Sequence, residues 1–231
     1  MINVDTVYQR VLALTNKEQR GYVTPLEFNL LANQAQLDIF EQYFYDINQL
    51  ALTDDIGTEY SDAVDTLDEK ISIFETSAIV SNGSILPLDL YRLGTVIFDT
   101  GLTNSKEVEF VDQKKFLYIM NSPLSRPSDN RPIYTRNGNN ITVIADMGSV
   151  VTFGVSCNYV RQPAPVEWGY NVVAGKALYQ PATSINFELH NSEETKLVIK
   201  ILELAGIVIN KPGLVSIASQ KEASTIQQQK A

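Results

Sequence analysis

Residues 186–210 read NFELHNSEETKLVIKILELAGIVIN, and this stretch sets how the rest of the chain is assigned. Asn191 stands where a helix N-cap is wanted, and Glu194, three residues on, completes a capping box. Glu193 and Glu194 place negative charge in the first turn, where the helix dipole favours it. Leu197, Ile201, Leu204 and Ala205 fall on one face at helical spacing, and Val198 and Leu202 widen that face. Gly206 is placed to end the helix, with Pro212 following. So wide an apolar face needs a surface to lie on, and the helical N-terminus is the natural partner.

Val4, Val7, Tyr8, Val11 and Leu12 repeat at helical spacing, so residues 3–16 read as a first helix that breaks over 16–21. A second starts at Thr24-Pro25-Leu26-Glu27, where threonine caps, proline takes the first turn and Glu27 closes a capping box. It runs to about residue 50. Leu30, Leu37, Phe40, Phe44 and Ile47 form one stripe, extended by Phe28, Leu31 and Ala35. Gln34, Gln36, Gln42 and Asn48 fill other faces with few charges, which hints at packing against other protein. Residues 1–52 are thus an expected antiparallel helical pair.

Residues 53–70 carry Asp54, Asp55, Glu59, Asp62, Asp65, Asp68 and Glu69 before Lys70 appears, and read as an acidic loop with a short helix. From 71 the period falls towards two. Strands are expected at 71–74, 77–80, 95–98, 132–136, 141–145 and 150–161, with hairpin turns at Asn82-Gly83 and Asn137-Gly138. A helical turn is expected at 87–91 and a short helix at 112–120. The domains are therefore a helical pair (1–52), the acidic segment (53–70), a β-rich region with helical inserts (71–170), the capped helix (171–211) and a partner-binding tail (212–231). The fold class is α+β: the N-terminal pair and the C-terminal helix form a helical bundle, with a mostly antiparallel β-rich region inserted.

The chemistry-bearing residues are sparse. The chain has 231 residues, a formal charge of −9, one His and one Cys. One cysteine excludes an internal disulfide, and one His with one Cys excludes the usual zinc sets. The acidic balance argues against a basic nucleic-acid groove. No apolar run reaches the length of a membrane span, and the start MINVDTVYQR lacks the pattern of a signal peptide, so neither is expected. His190, with Ser192 and Glu193 beside it, lacks a nucleophile elbow and reads as a helix-start residue. Cys157 sits in an alternating strand and reads as core filler. Gly169 to Lys176 approaches a P-loop but has five residues between its glycines and Ala177 after the lysine, so it is rejected. The acidic run lacks the alternation and glycine of an EF-hand loop. No catalytic, cofactor or metal residue is assigned.

Five segments carry a resemblance. They are NVDTVYQRVLALTNKEQRGYVTPLEFNLLANQAQLDIFEQYF (3–44), SILPLDLYRLGTVIF (84–98), NSPLSRPSDNRPIYTRNGNNITVIAD (121–146), YVRQPAPVEWGY (159–170) and FELHNSEETKLVIKILELAGIVI (187–209). In this order they resemble the neck or head–tail connector proteins of crAss-like and related short-tailed phages, and more loosely the tail adaptors that ring the portal. The resemblance implies a structural virion protein without enzymatic activity, assembled in the bacterial host cytoplasm. Its implied partners are copies of itself in a ring, often twelvefold, the portal protein, and other neck or tail proteins. Double-stranded DNA would pass through the lumen without sequence-specific contact. Leu214, Ile217 and Ile226 of the tail, with Tyr43, Tyr45 and Trp168, are the candidate contact residues. A tail-hub or fibre-attachment protein is the alternative within the same context, and a hydrolase using His190 or the acidic loop is the alternative outside it.

Overall fold

The computed structural model describes residues 1–17, 22–51, 58–99, 105–145 and 148–208. The chain is a mixed α+β protein that divides into two units, Met1–Ile73 with Pro163–Ala231, and Phe74–Gln162.

Helix α1 (Val4–Lys17) is capped by Asn3, whose Oδ1 accepts from the N–H of Asp5 at 2.8 Å and of Thr6 at 3.1 Å. Val4, Val7, Tyr8 and Val11 are its buried face. Helix α2 (Pro25–Ala51) starts with the expected capping box: Glu27 accepts from Thr24 N–H at 2.9 Å, and Thr24 Oγ1 accepts from Glu27 N–H at 3.3 Å. Its buried face differs from the expected stripe. Phe28, Ala32, Ala35, Ile39, Phe40 and Tyr43 are buried, while Leu30 and Leu37 are exposed. At about 100° per residue, Leu26, Leu30 and Leu37 fall within about 40° of one another and opposite Phe28, Ala35 and Ile39. The helix is apolar on two faces, and spacing alone does not say which one goes inside.

Helix α3 (Thr58–Ser72) absorbs the start of the strand expected at 71–74. Val64, Leu67 and Ile71 follow helical spacing and are its partly or fully buried side, leaving Asp62, Asp65, Asp68 and Glu69 exposed. Asp54 and Asp55 lie outside the described residues.

The second unit contains β1 (Glu75–Ile79), β2 (Leu90–Asp99), β3 (Ser105–Glu107), β4 (Glu109–Phe110), α4 (Gln113–Asn121), β5 (Ile133–Asn137), β6 (Asn140–Ile144) and β7 (Val155–Arg161). One antiparallel sheet has the order β1-β7-β2-β3; a second has the order β4-β5-β6, with β4 parallel to β5. Strand alternation then builds layers. Tyr134, Ile141 and Val143 join Val96, Val155, Cys157 and Tyr159 in the core with the first sheet. Ile133 and Ile144, on the opposite face, pack with Phe116, Ile119 and Met120 of α4. In place of the helical turn expected at 87–91, residues 87–90 make a turn closed by Leu90 N–H to Pro87 C=O at 3.4 Å, and Leu90 and Tyr91 already belong to β2. β7 is shorter than the strand expected at 150–161. Gly154 interrupts it at φ +71, where an added Cβ would sit 2.4 Å from the Asp99 carbonyl oxygen.

Returning to the first unit, β8 (Tyr170–Val173) and β9 (Lys176–Tyr179) form a hairpin where the sequence reading placed only the approach to the last helix. Ala174 at φ +52 and Gly175 at φ +75 are its turn, with both central residues left-handed as a type I′ turn requires. The rejected P-loop residues are therefore this hairpin. A single 3₁₀ turn, Asn191–Glu193, opens α5 (Glu194–Val208). Asn191 is not the cap. His190 caps, its Nδ1 accepting from Ser192 N–H at 3.3 Å, while Asn191 Oδ1 accepts from the Met1 ammonium at 3.0 Å. Gly206 does not end the helix; it is buried within it. Leu197, Val198, Ile201 and Ala205 are buried, and α5 packs against α2 and α1. Ion pairs join Glu194 to Arg10 at 3.0 Å and Lys200 to Asp38 at 3.8 Å.

Candidate interaction site

Three amides of α2, Asn29, Asn33 and Gln36, turn inward. Asn29 Oδ1 accepts from Trp168 N–H at 2.8 Å and its Nδ2 donates to Trp168 C=O at 3.4 Å. Asn33 does the same for Val166, at 2.8 Å in both directions. Gln36 donates to Ala164 C=O at 2.8 Å and accepts from Glu188 N–H at 3.2 Å; the Glu188 carboxylate accepts from Ala164 N–H at 2.9 Å. A carboxamide has the same donor and acceptor as a peptide unit, so this helix edge mimics a β-strand edge. The spacing works because four helical residues advance about 6 Å, close to the two-residue repeat of an extended chain of about 6.6 Å. Three residues advance only about 4.5 Å, and the extra methylene of Gln36 supplies the missing reach. The far edge of the segment pairs through Glu167 and Ile185, whose N–H and C=O groups exchange bonds at 3.2 and 2.8 Å. Pro163 and Pro165 have no N–H to leave unpaired.

Trp168 closes the ladder. Its Nε1–H donates to Asp5 at 3.0 Å. Tyr170 and Tyr179, paired across the hairpin, stack on its ring with centroids 5.7 Å away, and Tyr8 lies at 4.4 Å. The hairpin is thus fixed at its base. A two-stranded hairpin alone is only marginally stable, and this packing is what orders it.

A charged cluster sits beside the start of α5. Lys70 Nζ, in the last turn of α3, is 2.6 Å from Glu193, in the 3₁₀ turn that opens α5, and both are largely buried. Each charge suits the dipole of its own helix end. The ammonium also lies 5.9 Å from the Tyr43 ring centroid. Burial and then the Glu193 charge push the Tyr43 phenol up, and its hydroxyl has no hydrogen-bond partner among the described residues.

These placements sort the candidate contact residues. Tyr43 and Trp168 are buried in the chain's own interior, because one packs in the helical core and the other closes the ladder, so neither is a surface anchor. Tyr45 is exposed and accepts from Gln49 at 2.7 Å. Leu214, Ile217 and Ile226 lie outside the described residues, as does the tail at 212–231. Gln36 serves the ladder, and Gln34 and Gln42 bond to Asp38 and Asp46 one turn on, so each of these amides has a partner within the chain. The sequence reading missed Asn29 and Asn33, whose signal was their spacing with Gln36 along one helix edge. His190 Nδ1 also lies 2.8 Å from Ser192 Oγ, but Glu193, the acid needed to orient a dyad, goes to Lys70. Burial raises the Cys157 thiol, which suits packing and opposes thiolate chemistry. No group of three or more His, Cys, Asp or Glu able to hold a metal occurs among the described residues, and no described helix is long and apolar enough to cross a membrane.

What the described surface does offer is unpartnered apolar side chains on ordered elements. Leu26, Leu30 and Leu37 line one face of α2; Val172, Val173 and Leu178 stand on the hairpin; Leu117 and Tyr118 stand on α4. No known family model and no curated protein sequence matches this chain.

Proposed function

We propose that this chain is a structural subunit of a tailed-phage neck, forming a ring that connects the capsid portal to the tail and lets DNA pass. In this reading the two N-terminal helices and α5 form a helical bundle with the β-rich region inserted, and the virion is where the protein resides. The observation that supports self-assembly is the set of large apolar side chains left exposed on α2, α4 and the β8–β9 hairpin. Contiguous exposed apolar patches on a folded chain mark contacts with other protein. The phage assignment rests on the order of the five resembling segments. The portal and neighbouring neck proteins are the partners, and no catalytic residue or cofactor is assigned. A net charge of −9 suits a channel wall that DNA must slide past, since clustered cations would hold the phosphates. Imaging the purified chain mixed with a short-tailed-phage portal protein tests the reading. Several copies in a ring on the portal support it; a chain that does not bind portal, or a single copy at a tail tip in whole particles, overturns it.

A further inference from the structure

Two exposed helix faces on this chain are complementary to each other. On α2, Leu26, Leu30 and Leu37 form an apolar ridge, with Leu30 68% exposed. Glu27, Asp38 and Glu41 flank that ridge, Asp38 paired with Lys200 and Glu41 exposed, and α2 carries no Lys or Arg. On α4, Phe116, Ile119 and Met120 pack inward, leaving Leu117 and Tyr118 outward, Tyr118 79% exposed. Beside them stand Lys114 and Lys115, both exposed, and the helix carries no acid. In a chain of charge −9 a lysine pair with no ion pair among the described residues, next to exposed apolar side chains, is an exception to the general surface. The lengths also match. Leu26 to Leu37 spans about 16 Å and the nine residues of α4 about 13 Å, at about 1.5 Å per residue.

We infer that the α4 face of one copy docks on the α2 face of a second copy of this chain. Leu117 and Tyr118 pack on the Leu26–Leu30–Leu37 ridge, and Lys114 and Lys115 face the acidic flank at Glu41. Both faces are solvent-exposed, and no other described residue of the chain covers either. Opposite charge selects the pairing of unlike faces and opposes α2 against α2, which would set acids against acids. Because the two surfaces differ, the contact is head-to-tail, and repetition gives a ring or a filament rather than a two-fold dimer. The contact is small, so each one is weak and salt-sensitive. This inference rests on the reading of the chain as a self-assembling subunit and names the faces it uses.

The test uses the full chain and concentration-dependent sedimentation. Lys114→Glu/Lys115→Glu should raise the concentration needed for association by about tenfold or more, as should Gln34→Lys/Glu41→Lys. All four substitutions in one chain should restore association towards the starting level, an outcome that misfolding cannot produce. In parallel, a Leu30→Cys/Leu117→Cys chain under mild oxidation should give a ladder of linked multimers, whereas either single variant stops at dimers; Cys157 is buried and does not compete. An unaltered chain that stays monomeric at millimolar concentration and gives no ladder overturns the inference. So does association that ignores both charge reversals, or reversals that do not rescue each other. Ring formation on the portal that survives all four substitutions separately would keep the neck reading and remove only these faces.

Discussion

The two units of this molecule satisfy extended backbone in different ways. In Phe74–Gln162 strands bond to strands, and each register is a run of main-chain partners. In the helical unit the extended residues 164–168 have side-chain amides of a helix along one edge, about 130 residues away in sequence, as Asn33 to Val166 shows with a separation of 133. The ion pairs differ in the same sense. Lys70–Glu193 is largely buried in the helical unit, while Arg131–Glu109 in the sheet unit has both side chains more than half exposed. The buried ion pair and the amide ladder thus lie in the helical unit, and the Arg131–Glu109 pair lies at the surface of the sheet unit. Stability in the first should hinge on single polar atoms, and in the second on apolar packing and strand pairing.

That contrast is open to direct attack. The largest effect is expected at Lys70→Met, which strands a buried carboxylate and should lower stability by about 4 kcal/mol by denaturant midpoint. Adding Glu193→Leu should recover much of the loss, because the unpaired charge is then gone. A small effect of the single change would mean that Glu193 reaches water and that the pair is peripheral after all.

Next comes Asn33→Leu. It leaves the buried N–H and C=O of Val166 without partners, at about 1–3 kcal/mol each, so a loss of about 3 kcal/mol is expected in the same titration. Asn33→Asp keeps the acceptor for Val166 N–H and loses the donor, and should fall between the two. Equal stability of all three would show that water replaces the ladder.

The counterpart in the sheet unit is Arg131→Ala, which removes two bonds to Glu109 at 3.1 and 3.0 Å. Both groups are exposed, and the change should stay within about 1 kcal/mol and shrink further in high salt. A loss as large as that of Lys70→Met would erase the distinction between the units.

The smallest effect concerns pH. The Thr24 N–H and then the Thr24 hydroxyl donate to the Glu27 carboxylate and hold its pKa below the ordinary value. A depressed folded pKa gives stability that is present above the unfolded pKa and is lost as pH falls through the folded one. Melting temperatures followed from neutral down to about pH 3 should therefore show a slightly shallower acid-side decline for Glu27→Gln than for the unaltered chain. Parallel curves would mean that the cap does not hold the charged form preferentially.

The elements that were legible from sequence are those whose signal is local. The Thr24–Glu27 box, the first helix at Val4, Val7, Tyr8 and Val11, the alternation that buries Cys157 and the buried positions of α5 are all set by residues a turn or a strand step apart. Errors came where two local readings compete. The 71–74 segment is apolar in either period, and Ile71 went with Val64 and Leu67 into α3. His190 and Asn191 were both able to cap, and the ammonium of Met1, distant in sequence, takes Asn191. Gly206 is able to end a helix, yet here it is buried inside one.

By itself, then, the sequence determined the helices, most strands and the α+β class, because period and caps act within a few residues. Only the tertiary structure decided which apolar face of α2 is covered, why Asn29, Asn33 and Gln36 are spaced as they are, and where Trp168 and Lys70 find their partners. The physical reason is that a carboxamide or a charge has no fixed destination along the chain. Its free energy depends on which buried N–H, carbonyl or carboxylate it meets, and those groups are brought to it only when segments far apart in sequence pack together.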